Sequence, residues 1–210
     1  MFMLFDIKNI EFKVDDKVIL AKQNFSLTKK NHLLVIGSSG SGKTTLINLM
    51  AGLLKPSSGD ISFENKYYSS MSENEIDSLR AHNFGFIFQK LHLIGHLNVE
   101  QNISIARNNL NISKIDKFID NLGLTKLKKQ KAKYLSFGEA QRVAIARGLA
   151  NNPKVIFADE PTSALDDKNT KLVMKLLLLE SKKINSTLVV CTHDIRIKKF
   201  FSNILEVNNE

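Results

Sequence analysis

Residues 37–44 combine glycine, serine and lysine at a spacing suited to binding phosphate. The run G-S-S-G-S-G-K-T fits the pattern G-x-x-x-x-G-K-[ST], between an apolar run and a helical pattern. Glycines let backbone N–H groups turn toward phosphate oxygens. Lys43 offers a positive charge, and the Thr44 hydroxyl is a hard oxygen ligand for Mg²⁺. This phosphate loop predicts a nucleotide site, and its expected binding residues are Gly37, Ser38, Ser39, Gly40, Ser41, Gly42, Lys43, Thr44 and Thr45.

An acidic pair follows a second apolar run. Asp159 ends the run VIFAD, and Glu160 comes next. A continuous apolar run is typical of a strand buried on both faces, and a carboxylate at the tip of a parallel strand faces the ligand crevice. We expect Asp159 to hold Mg²⁺ and Glu160 to orient or deprotonate an attacking water. Together with the phosphate loop the pair predicts a nucleoside triphosphatase, and the missing N-K-x-D motif weighs against a GTPase.

A second candidate anion site lies in the segment LSFGEAQRVAIARGLA, residues 135–150. Serine and glycine just ahead of an apolar, periodic run predict a helix N-terminus. The positive end of a helix dipole attracts anions. One chain therefore carries two candidate phosphate sites.

The elements that must position these residues alternate between strand and helix. Strand-like runs at 32–37, 155–159 and 187–191 alternate with helical patterns at 44–54 and 167–183. This alternation predicts an α/β fold with a parallel central sheet.

Two regions depart from this alternation. The first thirty residues resemble two short strands joined at Asp15 and Asp16, which predicts an antiparallel flank on the main sheet. Between about 91 and 135 the patterns at 98–109 and 113–124 predict helices. We expect one nucleotide-binding domain over 1–210: residues 1–90 and 136–210 form its core, and about 91–135 form an inserted helical subdomain.

Composition limits the partners and the cellular location that the protein is expected to have. The 210 residues are 43% hydrophobic and 24% charged, as in soluble globular proteins, and the net charge of +9 suits phosphates, an anionic membrane face or a plain solvated surface. No basic block interleaves with aromatic residues, so nucleic acid is not an expected partner. The longest apolar runs are too short to span a bilayer, and no signal peptide is evident, which predicts a cytoplasmic protein. The single cysteine, Cys191, excludes an internal disulfide and is expected to be a buried thiol.

Besides the phosphate loop, four segments form an ordered set: FGFIFQ (84–89), LSFGEAQRVAIARGLA (135–150), VIFADEPTSALD (155–166) and CTHD (191–194). Together they resemble the motifs of a known family, the ATP-binding cassette (ABC) ATPases. Residues 135–150 resemble the signature motif, usually written LSGGQ, and FGFIFQ (84–89) resembles the Q-loop. VIFADEPTSALD (155–166) resembles the Walker B strand and D-loop, and CTHD (191–194) resembles the H-loop. The phosphate loop corresponds to the Walker A motif. This ordered set covers nearly the whole chain and implies the P-loop NTPase fold of ABC ATPases, with an antiparallel β flank and an inserted helical subdomain.

The resemblance implies a reason for two anion sites. Cassettes of this family pair head to tail, so that each ATP lies between two copies. Ser136 and the N–H of Gly138, with Glu139 beside them, would then bind the γ-phosphate held by the phosphate loop of a second copy. Asp166 would cross the dimer interface.

The resemblance also implies roles inside one copy. Gln89, Glu160 and His193 would be the catalytic residues: Gln89 senses the γ-phosphate and Mg²⁺, and His193 contacts the γ-phosphate and holds the geometry of water attack. Gln89 would join Thr44 and Asp159 as a ligand of Mg²⁺.

Some positions depart from the family pattern or carry a second interpretation. Phe137 stands where the family has the middle glycine of the signature, Glu139 replaces glutamine, and Ala140 stands where many relatives have a basic residue. Phe12 lies at the position of an aromatic residue that stacks on adenine, although a phenylalanine in a strand is ordinarily core. Ser136 has a second interpretation as a plain helix N-cap.

The expected function is ATP hydrolysis that powers a separate membrane permease, with the dimer bound to the inner face of the cell membrane. FGFIFQ with HLIGHLNVEQN (92–102) resembles the subgroup of macrolide export, lipoprotein release and FtsE-type cell-division cassettes, whereas PTSALD differs from the PTGNLD of that subgroup. The alternatives are a non-transport ABC ATPase, which regulates cell division or acts on DNA or ribosomes, and a regulatory cassette without cargo. A short gap between phosphate loop and signature, and a single cassette, favour transport.

Overall fold

The computed structural model describes residues 3–106 and 112–208. Two sheets and six helices are built from these residues. The strands are β1 (Met3–Val14), β2 (Lys17–Thr28), β3 (Leu33–Ile36), β4 (Ser58–Phe63), β5 (Lys66–Tyr67), β6 (Phe84–Ile87), β7 (Val155–Asp159), β8 (Thr187–Thr192) and β9 (Asn203–Glu206). The helices are α1 (Lys43–Met50), α2 (Glu73–Asn83), α3 (Val99–Ser104), α4 (Ile112–Asn121), α5 (Phe137–Leu149) and α6 (Asp167–Lys183).

The central sheet is parallel and has the strand order β6-β7-β8-β3-β9. Every residue of β3 and β8 is buried, as are the first four residues of β7, which explains their unbroken apolar sequences. The predicted α/β fold with a parallel sheet is confirmed. Because parallel strands share the same direction, the ends of β3, β7 and β8 bring the phosphate loop, Glu160 and His193 to one edge.

The N-terminal strands form a second, antiparallel sheet with the order β2-β1-β4-β5. The predicted antiparallel pair is confirmed, but it does not add to the main sheet, because β1 pairs with β4 on its other side. The two sheets meet through aromatic rings. The ring of Phe5 in β1 lies 5.9 Å from that of Phe84 in β6 and 6.2 Å from that of Phe157 in β7.

The segment between β6 and α5 contains α3 and α4, as the helical patterns predicted. Both helices end earlier than the sequence indicated, and residues 107–109 of the first pattern lie outside the described residues. An apolar cluster joins α3 and α4 to α5, and its buried members are Val99, Ile103, Ile119, Leu122, Leu124, Val143, Ala146 and Ala150. The boundary of a helical subdomain at about 91–135 stays a prediction. In the described part of the chain no helix is both long and apolar enough to cross a bilayer.

Candidate nucleotide site

The phosphate loop follows β3 and runs into α1. Gly40 and Gly42 have φ values of +80° and +93°, the left-handed region that favours glycine. A Cβ atom on Gly42 would lie 2.6 Å from the carbonyl oxygen of Ile19, and one on Gly37 would lie 2.3 Å from that of Val207. Backbone shape and close approach therefore require the three glycines of this loop.

The side chain of Lys43 folds back onto the phosphate loop. The side chain is buried, and Nζ donates hydrogen bonds to the carbonyl oxygens of Gly37 at 3.0 Å and Ser38 at 2.7 Å. Neutral carbonyl groups satisfy the hydrogen-bond donors of a buried ammonium group but do not neutralise its charge. The loop therefore presents a positive charge that a phosphate group would neutralise.

Thr44 and Asp159 lie side by side at the end of β7. The Thr44 hydroxyl donates to Oδ2 of Asp159 at 3.0 Å. The other oxygen, Oδ1, is buried and has no hydrogen-bond partner among the described residues. Burial raises the pKa of Asp159 above its ordinary value. Mg²⁺ prefers oxygen ligands such as hydroxyl and carboxylate groups. The Thr44 hydroxyl and Oδ1 of Asp159, which is unpaired in the described part of the chain, therefore fit the metal.

Hydrogen bonds at the ends of β7 and β8 hold Glu160 in one position. Its φ of +48° lies in the left-handed region, which costs a non-glycine residue about 1–3 kcal/mol. The backbone N–H of Glu160 donates to the carbonyl of Cys191 at 2.8 Å. Its carboxylate accepts from the Thr192 hydroxyl at 2.7 Å, from the His193 backbone N–H at 3.1 Å and from Nδ1 of His193 at 2.7 Å. Because a carboxylate only accepts, Nδ1 carries the proton of this bond, and Nε2 is the ring atom that faces elsewhere.

The N-terminus of α5 is capped by its own first turn. The backbone N–H and the hydroxyl of Ser136 both donate to Oε2 of Glu139 at 2.8 Å, and the Glu139 N–H donates to the serine hydroxyl at 3.4 Å. The backbone hydrogen bond from Ser136 is the main cause that lowers the pKa of Glu139. Ser136, Phe137 and Gly138 are exposed, and a Cβ atom on Gly138 would meet only Arg142, at 3.9 Å. The predicted N-cap is therefore present, on an open helix end.

The remaining predicted residues are Asp166, Gln89 and Phe12. Asp166 is exposed and caps α6, where Oδ1 accepts from the Asn169 N–H at 2.8 Å. Gln89 is exposed just after β6, and with Glu160 it lines one small cavity. Phe12 is half-buried and packs against the main apolar core, which supports its interpretation as a core residue. Stacking of Phe12 on adenine stays a prediction.

Several polar residues that support the site were not singled out from the sequence. Thr192 is the donor to Glu160, and Gln141 donates to the Pro161 carbonyl at 2.7 Å. Arg147 donates to the carbonyl oxygens of Leu91 and His92, just beyond the predicted Q-loop. For Thr192 a signal existed: it is a polar residue at the end of an apolar run, directly before His193. The contacts of Gln141 and Arg147 join distant segments, and no sequence spacing marks them.

Comparison with known proteins decides the family. Residues 20–163 match the model of a family described as ABC transporter. The chain belongs to the ABC transporter family. It is 40% identical to the lipoprotein-releasing system ATP-binding protein LolD of Buchnera aphidicola subsp. Schizaphis graminum, over 96% of this chain and 91% of that protein. It is 35% identical to the phosphonates import ATP-binding protein PhnC of Fusobacterium nucleatum, over 100% of this chain and 90% of that protein.

A solved structure shows the same fold. The dimeric post-hydrolysis state of the ATP-binding cassette MJ0796, bound to ADP and Pi, superposes with a TM-score of 0.85 at 32% identity, over 98% of this chain and 94% of that one. The similarity confirms the predicted P-loop fold of ABC ATPases. This chain is therefore an ABC ATPase, as the ordered motifs predicted.

Proposed function

We propose that this ABC ATPase acts as a head-to-tail dimer and powers a separate membrane permease from the cytoplasmic face of the membrane. The observation that carries the proposal is that one chain has both a phosphate loop and an open, capped helix N-terminus. The phosphate loop holds the buried Lys43, and the capped N-terminus of α5 is exposed. Two copies related by a twofold axis would each give one half to each of two sites.

The loop side of the site binds ATP. Residues 37–45 enclose the phosphates, and Lys43 neutralises part of their charge. Thr44, Asp159 and Gln89 are the residues that would hold Mg²⁺. When bound, the metal neutralises charge on the phosphate oxygens.

The hydrolytic side of the site is built around Glu160. Its carboxylate accepts a proton from the attacking water, which is the role of a general base. His193 and Thr192 fix the carboxylate through the hydrogen bonds at 2.7 Å. Because Nδ1 of His193 is used by Glu160, Nε2 is the ring atom left for the γ-phosphate.

The second copy supplies the other half of each site. The exposed Ser136 and Gly138 lie at the positive end of α5, which suits a γ-phosphate. Asp166 is exposed and contacts the partner. Glu139 holds Ser136 in place through the hydrogen bonds at the helix end. Dimeric structures of the similar cassette MJ0796 support this arrangement.

The membrane partner is inferred from the relatives and from the net charge of the chain. Both curated relatives are named as the ATP-binding proteins of lipoprotein release or phosphonate import. We assign no cargo or direction, because these two names differ in both. A basic chain with a net charge of +9 suits a position beside an anionic membrane face.

Purification of the tagged chain from detergent-solubilised membranes tests the transport role, with an untagged culture as the control. We expect a membrane protein with several spanning helices to co-elute and to raise ATP turnover when both are reconstituted in lipid vesicles. Elution with ribosomes or DNA, or a co-eluting membrane protein that leaves turnover unchanged, would contradict the proposal and favour a non-transport ATPase.

A further inference from the structure

The guanidinium group of Arg196 binds the residue that follows His193. Nε donates to Oδ1 of Asp194 and Nη2 donates to Oδ2, both at 2.8 Å. This is a two-point contact between a planar donor fork and a carboxylate, which fixes orientation as well as distance. The side-chain hydrogen bond from Arg196 is the main cause that holds the pKa of Asp194 below its ordinary value.

The same guanidinium group reaches the loop that carries Asp166. Nη1 donates to Oδ1 of Asp167 at 2.6 Å, and Nη2 donates to the carbonyl oxygen of Leu165 at 3.1 Å. Leu165 and Asp167 are the two neighbours of Asp166 in the chain. Arg196 therefore holds the backbone carbonyl of Leu165 and the side chain of Asp167, which lie on either side of the partner-facing Asp166.

A continuous path of hydrogen bonds leads from this loop to the hydrolytic carboxylate. The backbone N–H of Asp194 donates to the Thr192 hydroxyl at 3.0 Å, and that hydroxyl donates to Glu160 at 2.7 Å. A second tie joins the same two loops, because the hydroxyl of Thr162 donates to Oδ2 of Asp194 at 2.9 Å. Asp194 is buried, and its carboxylate is held by the hydrogen bonds from Arg196 and Thr162.

We propose that Arg196 is a positioning residue that links partner contact at Asp166 to the geometry of Glu160 and His193. This inference rests on the proposed function, since it needs a second copy at the Asp166 loop. A rigid fork transmits a shift of residues 165–167 to Asp194, and Asp194 is covalently joined to His193. A lysine keeps the positive charge but offers no planar fork, so it loses the two-point contact with Asp194 and holds the two loops less firmly.

The test measures hydrolysis and dimer formation separately in Arg196→Gln and Arg196→Lys. Hydrolysis is measured as kcat and KM for ATP in the native background, and ATP-dependent dimer formation is measured by light scattering in the Glu160→Gln background. We expect kcat to fall about tenfold for Arg196→Gln and less for Arg196→Lys, the size of effect that loss of a charged hydrogen bond gives. KM for ATP should change less than about threefold, since the phosphate loop is not touched, and so should the dimer dissociation constant, since Asp166 itself is kept.

Arg80→Gln is the matched control. Arg80 also contacts a carbonyl oxygen and a carboxylate, those of Gly52 and Asp77, but on α2 away from these loops. Its substitution should leave kcat within about twofold of native. A thermal unfolding scan of every variant checks folding, and Arg196→Lys keeps the charge in case Arg196→Gln is too unstable to assay.

Two results would overturn the inference while leaving the proposed function intact. One is native kcat in both Arg196 variants, with Glu160→Gln inactive. The other is a fall in kcat that a matching loss of the dimer fully explains. Absence of an ATP-dependent dimer in the Glu160→Gln background would instead refute the proposed head-to-tail dimer on which the inference rests.

Discussion

Replacement of Glu160 by glutamine removes the proposed proton acceptor and preserves nearly everything else. Glutamine has the same length and keeps the left-handed backbone at this position. In the native protein the carboxylate accepts three hydrogen bonds, from the Thr192 hydroxyl, the His193 backbone N–H and Nδ1 of His193. A carboxamide has only one oxygen, so its NH₂ group must face a former donor. That donor is the Thr192 hydroxyl, which can rotate to accept from the NH₂ group, while the amide oxygen keeps the hydrogen bonds from the backbone N–H and Nδ1 of His193.

Two magnitudes can be compared for this substitution. A positioned general base contributes about 10²–10⁴ in rate, which is about 2.7–5.4 kcal/mol of the barrier. Rearrangement of the hydrogen bonds costs at most about 1–3 kcal/mol of folding free energy. In a chain of this size each kcal/mol lowers Tm by about 2–4 °C, so the fall in Tm is at most about 12 °C. Loss of chemistry therefore dominates over loss of stability.

Phosphate release at saturating ATP and Mg²⁺ measures the effect. We expect kcat of Glu160→Gln to fall at least about a hundredfold. Nucleotide affinity, measured by equilibrium dialysis, should stay within about threefold of native, because the phosphate loop is unchanged. The variant should accumulate an ATP-dependent dimer that light scattering detects. Turnover within about threefold of native would refute the assignment of Glu160 as the base.

Three further substitutions probe the supports of the site. Thr192→Val removes one donor to Glu160 but keeps the carboxylate, so phosphate-release assays should show kcat about tenfold lower, and an unchanged kcat would contradict a supporting role for this hydroxyl. Burial raises the pKa of Asp159 above 3.8, so the folded state gains stability from its protonation below that pH and loses it as pH rises through the folded pKa. Asp159→Asn should therefore raise Tm of the nucleotide-free protein at pH 7.5 but not at pH 3.5. It should also abolish Mg²⁺-dependent hydrolysis. An equal Tm difference at both pH values in calorimetry would contradict the burial argument. Ser136→Ala loses the N-cap of α5, so thermal unfolding should show a Tm about 2–4 °C lower than that of the native protein. Ser136→Thr should keep the cap and the native Tm. Equal Tm values for the two variants would show that the cap adds no stability.

Local signals account for the parts of the structure that the sequence predicted well. The buried strand β7 and the helix α6 begin and end where the apolar run and the helical period indicated. The phosphate loop needs glycine for backbone reasons that residue types reveal directly. Helix α1 ends at Met50, earlier than the pattern at 44–54 indicated. Residues 51–54 keep the helical period of the sequence but form a turn and a bend.

Contacts between distant segments account for what the sequence did not reveal. Strands β4 and β5 were missed, and β4 depends on pairing with β1 for its place in the sheet. The left-handed backbone of Glu160 follows no residue-type rule, since glutamate rarely adopts it. The bonds of Arg196 join residues 165–167 to residue 194, and periodicity carries no information about such pairs.

The sharing of each ATP site between two copies is tested most directly by mixing two inactive variants. Lys43→Ala damages only the phosphate loop, and Ser136→Ala damages only the helix end that serves the partner. In a twofold dimer a mixed pair has one site with both halves intact and one with neither. An equal mixture with random pairing should therefore regain about a quarter of native ATP turnover, well above the mean of the two variants assayed alone. Turnover equal to that mean at every mixing ratio would contradict a shared site and place both residues in the same copy's pocket.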